Sequence, residues 1–236
     1  MTRRRWIADE FSQNQAALTG EHADHLARVL RARVGQEFDI ATGKSVRIGR
    51  ISSIHDGRVE FELGEEIAAA PVLKLTLALA IIKFDRMEWA IEKCTELGVS
   101  GFVPVIARRT DSHLVKAAAK RVERWQRVAR EASEQSRRAE APNISHPLTV
   151  KETIGLPAGL RILLSESERA VSLKEGLRES AGSDLLMALG PEGGWTEEEE
   201  TAFRQAGWMG CTLGSTILRA ETAAIAATAI ALSELQ

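Results

Sequence analysis

Two cysteines, Cys94 and Cys211, are all that this 236-residue chain contains. They are too few for a disulfide framework or a cysteine-built metal site, and they fit a reducing compartment. The longest apolar runs, Val72–Ile82 and Ala223–Leu232, fall short of the ~20 residues that a membrane-spanning helix needs. The basic start, Met1-Thr2-Arg3-Arg4-Arg5-Trp6, leads into the polar Asp9–Asn14 without an apolar core. No signal peptide is expected, and a cytoplasmic location is. Several catalytic signatures are also missing. There is no G-x-x-x-x-G-K-[ST] to cradle a triphosphate, no G-x-G-x-x-G after a strand, and no G-x-S-x-G elbow. No histidine follows His146, which argues against a hydrolase triad in the second half. His22 and His25 stand three residues apart but have no further ligand cluster, so no metal is expected.

Hydrophobic residues at 44% and charged residues at 27% are ordinary globular values, which excludes disorder. The length suits two small domains with cores that need no disulfides. A net charge of −2, from 31 basic and 33 acidic side chains, conceals an uneven distribution. Arg108–Arg138 carries ten Lys/Arg against four Asp/Glu, whereas Glu192–Glu200 holds five Glu and no basic residue. A basic segment in a near-neutral chain suggests a polyanionic partner met by one face. On charge alone, a solvated basic helix explains it equally well.

The first seventy residues read as β-rich. Val59, Phe61 and Leu63 alternate with charged neighbours, and Asp56-Gly57 joins that strand to Val46–Ile54 as a hairpin. A short helix over Glu21–Arg33 would place Ala23, Leu26, Val29 and Leu30 on one side. Ala68-Ala69-Ala70-Pro71 reads as a linker, giving domains 1–70 and 71–236. From Val72 the pattern becomes α/β. Strands are expected at Val72–Ile82, Phe102–Ile106, Arg161–Leu164, Leu185–Leu189 and Cys211–Leu213. Between them lie a helix capped by Asp85 and ended by Gly98, a long helix Lys116–Arg138, and helices Val171–Glu179, Glu197–Ala206 and Glu221–Leu235. That alternation implies a parallel sheet covered on both faces. The last helix is apolar nearly all round, so it must be buried in the core or in a subunit interface.

Two loops carry the chemical signal. Leu189-Gly190-Pro191-Glu192-Gly193-Gly194-Trp195 follows a buried strand at the edge where open α/β sheets bind ligands. Taken alone it is also compatible with a plain strand-to-helix turn. Thr196 and Glu199 form a capping box, and Glu197–Glu200 crowd the helix start with negative charge, which would repel a phosphate and tolerate a neutral or cationic ligand. The second loop, Leu213–Thr222, again follows a strand and enters a helix, with Arg219 and Glu221 bracketing the helix start.

G-P-E-G-G-W followed by L-G-S-T-I-L-R-A-E-T-A closely resembles the RsmE family, the 16S ribosomal RNA uridine-N3 methyltransferases of the SPOUT superfamily. The resemblance extends through Lys83–Trp89, Cys94–Val99, Arg124-Trp125 and Glu131–Ser136, and reaches His25–Arg31. It implies an N-terminal PUA-like β-barrel domain that binds RNA. It also implies a C-terminal SPOUT-type parallel sheet with helices on both faces and a trefoil knot. S-adenosylmethionine would be held in the knot loops. By this likeness Leu189, Gly190, Pro191, Glu192, Gly193 and Gly194 form one cofactor loop, and Leu213, Gly214, Ile217 and Leu218 a second; Ser165 and Glu166 match the third less distinctly. A homodimer and a 30S or 16S RNA substrate are implied as well. One departure is Arg137, which stands where the family's E-Q-S-G-R has glycine.

Methyl transfer to uracil N3 requires loss of the N3 proton and stabilisation of an imide anion spread over O2 and O4. Arg219 is the candidate cation, with Glu221 or Glu192 as candidate base; His25 or His113 would serve only if folding brought one near. The alternative is that Arg219 and Glu221 only pair with each other in a structural ion pair. Phosphate contacts are expected from Arg3, Arg4, Arg5, Arg28, Arg31, Arg109, Lys116, Lys120, Arg124, Arg127, Arg137 and Arg138. Trp89 and Trp195 are candidates for stacking on a flipped base, while Trp125 sits on an apolar helix face.

Overall fold

The structure, a computed structural model of the chain, describes residues 4–43, 45–67, 73–178 and 184–235. Arg3 and the Ala68–Pro71 linker therefore lie outside the described residues. The chain divides into two compact units, Met1–Pro71 with Ser133–Ala141, and Val72–Ala132 with Pro142–Gln236. The first unit thus takes in a segment that the sequence assigns to the second domain. Within it, the Arg5 guanidinium donates to the Arg137 carbonyl, and the Ile7 amide reaches Glu134 Oε1 at 3.4 Å.

The first unit is a six-stranded sheet. Its strands are β1 (Arg5–Ile7), β2 (Glu10–Phe11), β3 (Gln15–Thr19), β4 (Glu37–Thr42), β5 (Ser45–His55) and β6 (Arg58–Ile67), in the order β1-β4-β5-β6-β3-β2. Only β1 and β4 pair in parallel. The β5–β6 hairpin turns at Asp56-Gly57, and Val59, Phe61 and Leu63 point inward as their alternation requires. After β3 comes helix α1 (Gly20–Asp24), then a π-helical turn over His25–Val29 whose Leu30 amide bonds to the His25 carbonyl at 3.0 Å. That wider turn corrects the expected apolar face. Ala23 and Leu26 are buried, but Val29 and Leu30 swing out to 66% and 39% exposure.

The second unit is an α/β layer structure. Its elements are β7 (Leu75–Ala80), α2 (Phe84–Leu97), β8 (Gly101–Ile106), α3 (Ser112–Ala118), α4 (Val122–Gln135), β9 (Asn143–Ile144), β10 (Leu148–Thr149) and α5 (Val150–Ile154). They are followed by β11 (Leu160–Leu164), α6 (Leu173–Leu177), β12 (Leu185–Leu189), α7 (Glu197–Gln205), β13 (Met209–Cys211) and α8 (Ala220–Leu235). All strand pairs are parallel, in the order β10-β8-β7-β12-β11-β13, with β9 beside β8. Side chains of β7 alternate between two cores. Leu75, Leu77 and Leu79 meet buried residues of α2, α4, α6 and α8, whereas Ala78 and Ala80 meet Phe203 and Trp208 on the other face. Helix α8 lies in this core through Ala220, Ala224, Ala227, Ala231 and Leu232.

Several boundaries differ from the sequence-based expectation, each for a local reason. Asp85 does not cap α2. The first acceptor is the Lys83 carbonyl, which takes the Met87 amide at 2.9 Å, and Asp85 falls in the first turn, where its charge suits the helix dipole. The long helix Lys116–Arg138 begins earlier, at Asp111, whose carboxylate accepts the His113 amide, and a 3₁₀ turn over Ala119–Arg121 divides it. It ends at Gln135, and Arg137 takes φ 61°, the left-handed position that glycine usually fills past a helix end. Ser172, capping α6 with Glu175, shortens that helix to five residues. Strand β13 ends at Cys211 because its register pairs Ile162 with Met209 and Leu164 with Cys211, which leaves Leu213 in the following loop. Among the described residues no helix is long and apolar enough to cross a membrane.

Candidate active site

Because β11, β12 and β13 are parallel neighbours, the loops leaving their carboxyl ends emerge side by side. They enclose a cavity of about 340 Å³. Its lining includes Ser165 and Glu166 from the first loop, Leu189, Gly190, Pro191, Gly193 and Gly194 from the second, and Leu213, Gly214, Ile217 and Leu218 from the third. Eleven of the twelve residues expected to hold the cofactor thus share one cavity, although they lie up to 53 positions apart (218 − 165). The twelfth, Glu192, is exposed and accepts Arg86 Nη1 at 3.3 Å.

The second loop is held in place from several sides. Trp195 is 6% exposed and donates its indole N–H to the Leu164 carbonyl at 3.2 Å. Tilted at 59° against Phe203 with ring centroids 5.1 Å apart, it belongs to the core and is not available to a flipped base. Arg109 donates to the Gly193 carbonyl and, at 3.1 Å, to the Trp195 carbonyl. Its guanidinium therefore serves the loop, whereas the charge count alone suggested a phosphate contact. In the third loop, Gly214 has φ +125°, and the Thr212 hydroxyl bonds to both its amide (3.2 Å) and its carbonyl (3.1 Å).

Two of the four glutamates in the first turn of α7 are tied to neighbouring loops. Glu199, 8% exposed, accepts the Arg108 amide and the Thr196 amide, each at 2.8 Å. Glu200 accepts the Ser165 hydroxyl at 2.5 Å on one oxygen and the Ser167 hydroxyl at 2.7 Å on the other. Carboxylates crowding this helix start oppose a phosphate there by charge. The cavity offers glycine-loop backbone, hydroxyls, the Glu166 and Glu200 carboxylates, the Arg109 and Arg169 side chains and the apolar Leu189, Leu213 and Leu218. That donor set fits an adenosine carrying a cationic sulfonium.

Arg219 and Glu221 do not pair with each other. Arg219 is exposed, and its side chain forms no hydrogen bond or ion pair among the described residues. Glu221 is 4% exposed; Oε1 lies 3.7 Å from Arg86 Nε, and Oε2 has no hydrogen-bond partner. Arg86, Ser167 and Glu200 were not among the expected site residues, and Arg109 was expected at phosphate and not at the second loop. Arg86 stands in the Lys83–Trp89 motif and Glu200 in the acidic cap, but neither motif discloses which loop its side chain meets.

The expected phosphate ligands separate by environment. Lys116, Lys120, Arg127 and Arg137 are exposed within the basic segment, as are Arg4, Arg28 and Arg31 near the start. Arg4 lies over Trp6 at 5.1 Å, and Arg28 pairs with Asp24 and Asp56. Arg124 grips Glu88 with two 2.7 Å bonds, which raise its pKa. Arg5 and Arg138 are partly buried, and desolvation lowers both. Trp125 is in the core, while Trp89 is 47% exposed. No group of three or more His, Cys, Asp and Glu among the described residues is placed to hold a metal ion.

Residues 69–232 match the family model described as an RNA methyltransferase domain. The chain is 34% identical over 221 residues to ribosomal RNA small subunit methyltransferase E of Synechocystis, covering 91% of this chain and 72% of that protein. It is 32% identical to the Bacillus subtilis protein of the same name, covering 88% and 85%. Among solved structures, ribosomal RNA small subunit methyltransferase E from Neisseria gonorrhoeae bound to S-adenosyl methionine superposes with a TM-score of 0.83 at 31% identity, covering 96% of this chain and 95% of that one. A Legionella pneumophila protein solved with the same cofactor gives 0.85 at 25% identity, covering 99% and 98%.

Proposed function

Since the chain belongs to the RNA methyltransferase family that includes ribosomal RNA small subunit methyltransferase E, we propose that it transfers a methyl group from S-adenosylmethionine to N3 of a uridine in 16S ribosomal RNA. The observation that carries this reading is the convergence of three strand-following loops on one cavity. Backbone groups of Gly190–Gly194 and Leu213–Leu218 hold the cofactor, and the carboxylates of Glu166 and Glu200 suit its positive charge. Bound there, it supplies an electrophilic methyl on sulfur.

The protein's own task is to position and deprotonate the base. Arg219, exposed and unpaired just beyond the third loop, stabilises the anion developing on the uracil oxygens. Glu221, two residues on and with one oxygen uncommitted, receives the N3 proton. Water exclusion falls to the apolar wall of Leu189, Leu213 and Leu218.

The finer architecture belongs to the same reading. The chain after β13 forms a trefoil knot, and the first unit is a PUA-like barrel that contacts RNA. Support comes from the adjacency of the three loops and from the largely antiparallel sheet with exposed Arg4, Arg28 and Arg31. The protein acts as a cytoplasmic homodimer, with Lys116, Lys120, Arg127 and Arg137 adding phosphate contacts that weaken steeply with salt.

The test is transfer of labelled methyl from S-adenosylmethionine to 30S subunits and to naked 16S RNA lacking the modification, followed by nucleoside analysis. Label in 3-methyluridine is the expected result. Label at another atom, or none with the cofactor bound, would overturn the assignment.

A further inference from the structure

Arg86 stands outside the cofactor cavity yet touches the surroundings of two of its loops. Its Nη1 lies 3.3 Å from Oε1 of Glu192, which sits inside the second loop. Its Nε lies 3.7 Å from Oε1 of Glu221, three residues past Leu218 of the third loop. Glu221 is almost wholly buried, and its other oxygen has no partner. A buried carboxylate half satisfied in this way is costly, and such groups persist where something other than stability retains them. Helix α2 contributes the guanidinium from its first turn, and α2 packs along α8 through the shared core, so the position of Arg86 is fixed by the fold.

We propose that Arg86 is a positioning residue for cofactor binding, drawing Glu192 and Glu221 onto one guanidinium and thereby setting the spacing of the two glycine loops. Without that guanidinium nothing bridges Glu192 to Glu221, and the loops that carry or adjoin them lose their common anchor. Arginine suits the task because its planar fork reaches two acceptors at once from a fixed position, which a lysine achieves only as a point charge. The inference rests on the cofactor assignment above, but not on the chemistry at uracil.

Calorimetric titration with S-adenosylmethionine, without RNA, tests it. Replacing Arg86 alone risks unfolding, because Glu221 would be left buried and charged. The informative background is therefore Arg86→Gln together with Glu221→Gln, which removes both charges. In that background affinity is expected to fall by about tenfold or more, while Arg86→Lys alone stays within about threefold of the wild type. Glu192→Gln is expected to weaken binding several-fold in the wild type and to have no further effect in the doubly substituted background. That loss of effect is the signature of a shared guanidinium, and general damage to the fold does not produce it. Equal Glu192→Gln effects in both backgrounds, or unchanged affinity in the double variant, would overturn the proposal. Either result, obtained with a wild type that binds cofactor and forms 3-methyluridine, leaves the methyltransferase reading standing.

Discussion

Gly214 offers the sharpest separation of loop geometry from loop contacts. It has φ +125°, and a Cβ built there meets no atom within 4 Å. Gly214→Ala therefore introduces no clash, and its whole cost lies in the backbone. An L-residue held in such a conformation is strained by about 1–3 kcal/mol. The third loop is exposed at Gly214 and can relieve the strain by moving, so the cost should surface as weakened binding and hardly at all in folding. At ~1.4 kcal/mol per decade, S-adenosylmethionine affinity should fall by about 5- to 150-fold. The comparison is Gly57→Ala, at φ +69° in the β5–β6 turn, where an added Cβ again meets nothing within 4 Å. That change should cost folding stability of about 1 kcal/mol and leave cofactor affinity unaltered. Calorimetric titration of both variants, with thermal melts alongside, decides the matter. Wild-type affinity in Gly214→Ala, or equal losses in the two variants, would refute the argument that this loop needs a glycine in order to bind.

Arg219→Ala should cut turnover by about 10²–10³-fold while cofactor affinity is largely kept; a normal methylation rate would remove Arg219 from the chemistry. Arg137→Gly should raise stability by about 0.5–1 kcal/mol, because it relieves the left-handed φ of 61° and leaves the carbonyl that accepts from Arg5 in place. A higher melting temperature is the expected readout, and a lower one refutes the strain argument. Hydrogen bonds from the Ser172 side chain and amide hold the Glu175 carboxyl below its ordinary value of 4.5. A folded value below the unfolded one stabilises above pH 4.5, and the contribution is lost as pH falls through the folded value. Ser172→Ala should therefore flatten the loss of stability below pH 4.5 in acid melts, and an unchanged acid limb would argue against the capping box as its source.

The β-rich start, the α/β remainder and the two glycine loops were legible because each leaves a periodic or conformational trace. Val59, Phe61 and Leu63 alternate, β12 is apolar throughout, and Thr196 with Glu199 signals a capping box that the structure contains. Two-residue strands such as β9 and β10 carry no period, so the sequence offered nothing to read there. The π-helical turn at His25–Val29 broke a 3.6-residue face that the sequence alone made plausible. Site residues divided in the same way. Backbone-donating loops announce themselves through glycine, whereas Arg86 and Arg109 act on carboxylates and carbonyls 84 to 135 positions away (193 − 109 and 221 − 86), a distance no local pattern encodes.

The acidic cap of α7 links these two kinds of information. Five glutamates and no basic residue between 192 and 200 read, in sequence, as negative charge crowding a helix start. In the fold, Glu199 takes the Arg108 and Thr196 amides and Glu200 takes two serine hydroxyls from the first loop. One carboxylate thereby ties the loop after β8 to the helix start, and the other ties the loop after β11. The same charges that fasten the loops also crowd the helix start, so a phosphate placed against it would face carboxylates where helix amides ordinarily wait. Exclusion of phosphate from this helix start and rigidity of the neighbouring loops are thus two consequences of one local choice, glutamate in the first turn. Glu192 and Glu221 extend that choice to the neighbouring loops, where a single arginine supplies the compensating charge.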